Sequence, residues 1–249
     1  MPPDRRTPTL LAWHTSLARR CGEADELIEK ILPAGVASAE LLEYPEDLRP
    51  HPAEAHLIEK SVDKRRRDFI GARHCARLAL AELGEAPVAI GKGERGAPVW
   101  PRGIVGSLTH CDGYRAAALG HKLRFRSIGI DAEPHGTLPE GVLDSVSLPP
   151  ERDWLARVDR SGLHLDRLLF CAKEATYKAW WPLTARWLGF EDAHITFTID
   201  ESSDGAGSGT FHSQILVPGQ VTDGGAPLIS FDGRWMIGDG LILTAIVHD

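Results

Sequence analysis

Asp131-Ala132-Glu133 closes a short apolar run, Ser127 to Ile130, that reads as a buried strand. Residues i and i+2 of a strand share a face, so the two carboxylates point the same way. Neighbouring anions repel unless a cation neutralises them, and an all-oxygen ligand set favours Mg²⁺ or Ca²⁺ over zinc. The end of a buried strand is also a common place for ligands. D-x-E is nevertheless frequent by chance, and one acid could simply cap the loop while the other faces solvent.

A third acid lies in Lys173-Glu174-Ala175-Thr176-Tyr177-Lys178, within a helical pattern from about Asp166 to Trp181 that Pro182 should close. Glu174 and Lys178 are four apart, which on an exposed helix would be an ordinary ion pair. The surrounding Leu168, Leu169, Phe170, Cys171, Ala172, Ala175, Ala179, Trp180 and Trp181 leave little exposed surface for that. A Glu on a mostly apolar helix can bind metal or accept a proton.

Cations gather elsewhere. Seven Lys/Arg and two Asp fall between Lys60 and Arg77, a local basic excess within a chain of net charge −7. The bland account is a solvated face. Arg73 and Arg77, however, border the apolar face of a helical pattern expected from Ala53 to Leu83, with no helical acid beside them. Such arginines are candidate phosphate clamps. Ser107-Leu108-Thr109-His110 ends another strand candidate and could add an imidazole and hydroxyls to a phosphate.

Gly91-Lys92-Gly93-Glu94-Arg95-Gly96 spells a dinucleotide fingerprint, which requires a helix to start within it. Ala97-Pro98-Val99-Trp100-Pro101 follows, and two prolines in four residues argue against that helix. The segment is read instead as a loop, either a plain turn or one whose backbone and cations approach a phosphate or a base.

The elements that must position these groups fall into two halves. The first, residues 1–125, combines Pro-punctuated short helices, the basic helix, and strands at Val88–Ile90, Ile104–Leu108 and Tyr114–Leu119. The second, residues 126–249, begins with Ser127–Ile130 and the Glu174 helix. Strands are expected at Ile195–Ile199, Phe211–Val217, Leu228–Phe231, Arg234–Ile237 and Leu241–Val247, with Ser202–Gly209 as a Gly/Ser-rich turn. The fold class is α+β, each half carrying one long helix and several strands, without a sequence-level repeat.

At 249 residues, 43% hydrophobic and 25% charged, the chain can build a real core. Its acidic balance argues against a general nucleic-acid binder. No apolar run approaches the ~18 residues that span a bilayer. Arg5-Arg6 invites an export reading, but His14 and Arg19-Arg20 interrupt the apolar core such a signal needs. Cys21, Cys75, Cys111 and Cys171 have neither zinc nor redox spacing. Buried thiols in a reducing cytoplasm are the expectation, with no membrane partner.

In order and separation, Gly96-Ala97-Pro98 with Trp100-Pro101, Ser107-Leu108-Thr109-His110, Gly129-Ile130-Asp131-Ala132-Glu133 and Phe170 to Ala179 resemble the phosphopantetheinyl transferase superfamily. The closer likeness is to its broad-specificity, surfactin-synthetase-activating branch. The resemblance runs from the basic helix through Gly189. It implies a pseudo-twofold fold, two similar halves with the site between them. It implies an enzyme that moves the 4′-phosphopantetheine arm of coenzyme A, its co-substrate, onto a serine of apo acyl or peptidyl carrier proteins. Adenosine 3′,5′-bisphosphate is the other product.

Carried over by motif, Asp131, Ala132 (through its carbonyl), Glu133 and Glu174 would hold Mg²⁺, or Mn²⁺ in its place. Arg65, Arg73 and His110 would hold the 3′-phosphate. Lys92, Gly93, Glu94, Arg95 and Thr109 would line the nucleotide pocket, Lys178 would neutralise the pyrophosphate, and Trp187 would wall the pantetheine arm. Glu174 would be the base, with Asp131 and Lys178 completing the catalytic set. A monomer is expected. The alternatives are a metal-dependent phosphohydrolase, which would need no carrier, and a coenzyme A-binding module, which would need neither Glu174 nor Lys178.

Overall fold

Two long helices, each laid across an antiparallel sheet, organise the computed structural model, which describes residues 27–158 and 162–249. The twin arginines, the segment around His14, and Cys21 lie outside the described residues. In chain order come β1 (Ala37–Leu41), α1 (Asp63–Glu82), the short pair β2 (Gly91–Lys92) and β3 (Pro98–Val99), β4 (Ile104–Cys111) and β5 (Tyr114–His121). The second half follows with β6 (Ser127–Pro134), α2 (Val142–Val146), α3 (Pro149–Arg157), α4 (Leu165–Thr184), β7 (Ala193–Ser203), β8 (Ala206–Ile215), β9 (Ser230–Gly238) and β10 (Leu241–His248). The strand orders are β1-β5-β4 and β6-β10-β9-β8-β7. Among the described residues no helix is long and apolar enough to cross a membrane.

Helix α1 buries Cys75, Ala76, Ala79 and Leu80 against Ala37, Ala39, Ala117 and Leu119 of its sheet. It stops at Gly84, whose φ of 78° fits the left-handed position that a side chain would strain. The N–H of Glu85 closes the end on the Leu80 carbonyl at 2.8 Å. Helix α4 buries Leu168, Leu169, Ala172, Ala175 and Trp180 against Phe211, Phe231, Trp235 and Ile242. Gly129 on β6 is what lets it approach so closely. A Cβ there would collide with the Ala175 carbonyl and lie 2.7 Å from the Ala179 nitrogen. This contact sets Glu174 and Lys178 over the far end of β6.

β6 is the edge of the larger sheet, and β4 covers that edge without laddering to it. The Ile130 N–H donates to Ser107 Oγ at 3.0 Å and the Ala132 N–H to Thr109 Oγ1 at 3.0 Å. Two hydroxyls at strand spacing thus satisfy edge amides that would otherwise be buried unpaired, and they join the halves.

Several sequence expectations are corrected. The helix expected from Ala53 to Leu83 is two pieces, a 3₁₀ segment Pro52–Ile58 and then α1. Glu54 faces inward, accepting from Arg77 at 2.8 Å and from the Ile90 N–H at 2.7 Å, and so folds the first piece back on α1. The turn expected at Ser202–Gly209 narrows to Asp204-Gly205. Gly209 belongs to β8, where a Cβ would collide with the Thr198 carbonyl, so its glycine serves close strand packing. Pro182 sits inside the last turn of α4 and does not end it. Arg234–Ile237 and only the last two residues of Leu228–Phe231 fall in one strand, β9, the Val88–Ile90 strand forms instead at Gly91–Lys92, and β1 had no expected counterpart.

Candidate active site

Asp131 is buried near the end of β6, 6% exposed. Its Oδ1 accepts from Thr109 Oγ1 at 3.1 Å and from Lys178 Nζ at 2.6 Å. Lys178 donates also to the Ile130 carbonyl at 3.0 Å. Among the described residues Asp131 Oδ2 is buried without a hydrogen-bond partner at normal bonding distance, and the Cys171 thiol packs against this carboxylate. Glu133, on the same strand face, pairs with Arg167 at 2.9 Å. Both carboxylates therefore face α4, as their i, i+2 spacing requires, and each meets a cation from it.

Glu174 lies between those two cations on α4, seven residues after Arg167 and four before Lys178. The i, i+4 pair with Lys178 considered from sequence does not form, because the ammonium reaches across to Asp131. Burial, then the Asp131 charge, pushes the Glu174 carboxyl above the usual range. Burial and Asp131 do the same to Glu133. Lys178 is raised in turn: burial opposes its charge, but Asp131 and Glu174 outweigh it. Lys173, adjacent to Glu174, points into the core. It bonds Glu151 at 2.8 Å and the carbonyls of Phe190 and Ala193.

The basic site lies across the seam. His110 Nε2 is 3.0 Å from Arg65 Nη1 and its Nδ1 is 3.9 Å from Asp68 Oδ2. A guanidinium only donates, so Nε2 is the acceptor and the imidazole is neutral with its proton on Nδ1. Burial depresses the His110 pKa, Asp68 opposing and Arg65 adding to that. Asp68 is itself anchored by Arg115 at 2.7 Å. Arg73 is 5% exposed, lies over the Phe69 ring and donates to the Ile90 and Gly91 carbonyls. Burial lowers its pKa to about 10, so it remains charged at neutral pH. Arg77, the other clamp candidate, is committed to Glu54.

Arg73 thereby fixes the start of the Gly91–Pro101 segment, which is a hairpin rather than a plain loop. Lys92 is exposed at its entry, and Gly93 N–H bonds the Ala97 carbonyl at 2.7 Å. Glu94 begins a single 3₁₀ turn and Arg95 follows with φ 52°, a left-handed backbone unusual for a side-chain-bearing residue. Its guanidinium stands 5.6 Å from the Trp181 ring and 5.2 Å from Trp187. Trp187, 59% exposed, packs on Tyr177. The hairpin of one half thus touches the end of α4 in the other. Thr109, expected in the nucleotide pocket, is 2% exposed beneath Asp131, with its hydroxyl committed to the seam.

Sequence reasoning missed Arg167 and Asp68, and it offered the Ser107 hydroxyl to a phosphate where the structure commits it to the Ile130 N–H. Arg167 was accessible as the i−7 neighbour of Glu174 on one helix face. Asp68 was masked as one acid in a basic run.

Among the described residues no three His, Cys, Asp or Glu stand in a metal-holding cluster, and Glu133 is paired with Arg167. The donor chemistry nonetheless fits a hard divalent cation. The unpartnered Asp131 Oδ2 and the two crowded glutamates are oxygen donors whose mutual repulsion a cation relieves.

Two like α+β halves with an acid site and a basic site at their seam define a class, and the comparisons agree. Residues 53–120 match the 4′-phosphopantetheinyl transferase N-terminal domain, and residues 127–218 match the 4′-phosphopantetheinyl transferase superfamily. The chain is 82% identical to the 4′-phosphopantetheinyl transferase Npt of Nocardia iowensis, over 89% of this chain and 100% of that protein. It is 56% identical to PptT of Mycobacterium tuberculosis, over 89% and 97% of the two chains. It is 49% identical to Svp of Streptomyces mobaraensis, over 78% and 77%. The chain belongs to the 4′-phosphopantetheinyl transferase superfamily. Within it the chain is of the broad-specificity type, an enzyme that places phosphopantetheine on apo carrier proteins.

Proposed function

We propose that the reaction takes coenzyme A as donor, depends on Mg²⁺, with Mn²⁺ able to replace it, and uses Glu174 as the base. The observation that carries this reading is the buried, unpartnered Asp131 Oδ2 beside two glutamates with raised pKa values. Asp131, Glu133 and Glu174 are the side chains that would hold the metal, with the Ala132 carbonyl next to them. When bound, the metal supplies charge stabilisation to the pyrophosphate.

The chain's own groups do the rest. Arg65 and Arg73 supply the positive charge on this side of the site and, with the His110 imidazole, would take the 3′-phosphate. Lys92 to Arg95 would border the nucleotide, and Thr109 contributes by holding Asp131. Trp187 and Tyr177 offer an apolar wall for the pantetheine arm. Glu174 takes the proton from the carrier serine hydroxyl. The serine oxygen then bonds the phosphorus that bears pantetheine, and that phosphorus loses its bond to the adenosine-side phosphate. Lys178 stabilises the departing adenosine 3′,5′-bisphosphate. Raised basicity suits Glu174 to this task.

We place the enzyme in the cytoplasm, where coenzyme A and carrier proteins occur together, and take it to act as a monomer. Incubation with coenzyme A, Mg²⁺ and an apo carrier should put the arm's mass on the carrier and release equimolar adenosine 3′,5′-bisphosphate. Release at the same rate without carrier would favour a phosphohydrolase, and transfer undiminished by a chelator would overturn the metal dependence.

A further inference from the structure

Asp131 and Glu133 each carry a resident cation, but the two cations are held very differently. Arg167 makes three contacts, to Glu133 Oε2 at 2.9 Å, to the Gly136 carbonyl at 2.9 Å and to the Thr137 carbonyl at 2.5 Å. It ties the segment after β6 to α4, and its planar fork cannot leave without breaking all three. Lys178 has a flexible stem and two contacts, one to Asp131 Oδ1 and one to the Ile130 carbonyl. Its side chain is 26% exposed, so the ammonium can turn toward solvent.

We propose that Lys178 is an internal counter-cation that must leave Asp131 for the coenzyme A pyrophosphate before a divalent metal binds Asp131 well. The inference rests on Asp131 being a metal ligand. An ammonium 2.6 Å from Oδ1 and a divalent ion on Oδ2 would be like charges on opposite oxygens of one carboxylate. In a partly buried site that repulsion is poorly screened. The pyrophosphate offers Lys178 other anionic oxygens, and once the ammonium turns to them Asp131 is open. Metal and coenzyme A then bind with positive coupling, and linkage makes the coupling reciprocal. The positioning role of Lys178 is thus to keep the site neutral until the donor arrives.

The test is the affinity for Mn²⁺ alone, read from the electron paramagnetic resonance signal of the free ion, with and without coenzyme A. Lys178→Met should bind Mn²⁺ on the order of ten-fold tighter than the parent enzyme in the absence of coenzyme A, and should gain less from its addition. Lys178→Gln serves if the Met variant does not fold, since it is neutral yet still donates to Asp131. Unchanged or weaker Mn²⁺ binding by the folded variant overturns the proposal. Asp131→Asn separates the two claims. If it binds Mn²⁺ as the parent does, the metal assignment itself fails, and with it this inference.

Discussion

Thr109 of the first half donates to Asp131 of the second, at 3.1 Å, and the same oxygen accepts the Ala132 N–H at 3.0 Å. One hydroxyl therefore joins the halves and fixes the acid at the centre of the candidate site. Thr109→Val keeps the shape but leaves a buried amide unsatisfied, which costs about 1–3 kcal/mol. Turnover should fall with stability, and Thr109→Ser should restore both. Denaturant unfolding beside steady-state rates checks this. Wild-type stability in the Val variant would show that the seam does not depend on the hydroxyl.

Asp131→Ala is expected to abolish transfer, and the structure adds a stability cost that sequence reasoning left out. The substitution strands a half-buried Lys178. Removing one partner of a fully buried pair costs about 3–5 kcal/mol, and the partial exposure of Lys178 reduces this to roughly 1–2 kcal/mol. Asp131→Asn should lose activity with a smaller loss of stability.

Lys173 shares a motif with Glu174 yet belongs to the core. Its ion pair with Glu151 is 2% and 1% exposed on the two sides. Lys173→Met should destabilise by about 3–5 kcal/mol. At low temperature the folded fraction should keep parental coenzyme A affinity by calorimetry. A selective loss of affinity would place Lys173 in the site.

His110 is neutral in the free protein, its pKa depressed by burial. A 3′-phosphate at Nε2 would raise that pKa, so binding coenzyme A near neutral pH should take up a proton. Affinity should accordingly fall as pH rises through the bound-state pKa. Calorimetry in buffers of different ionisation enthalpy measures the uptake. It should vanish with 3′-dephospho-coenzyme A and in His110→Gln. Equal uptake with both ligands would remove His110 from the phosphate.

Much of the geometry of this candidate site was legible in residue spacing. Period two placed Asp131 and Glu133 on one face of β6, and the apolar setting of Glu174 argued against an exposed pair. What stayed hidden depends on contacts between distant segments. Lys178 chose Asp131, 47 residues away, over its helical neighbour Glu174. Thr109 went under the acid because β4 covers the edge of β6. In the fold, the break before α1 was hidden because Glu54 turns inward to a partner 36 residues on. Gly207 and Gly209 looked like turn residues because glycine signals both turns and close strand approach.

Glu174→Gln tests the account most directly. Because the folded protein raises this carboxyl's pKa, the ionised group destabilises the metal-free fold above that pKa, so the variant should melt no lower than the parent at neutral pH. It keeps size and an oxygen donor but loses the basicity. At saturating Mg²⁺, coenzyme A and apo carrier, its turnover should fall by about 10²–10⁴-fold, while calorimetric coenzyme A affinity falls only modestly. An unchanged turnover number would contradict Glu174 as the base.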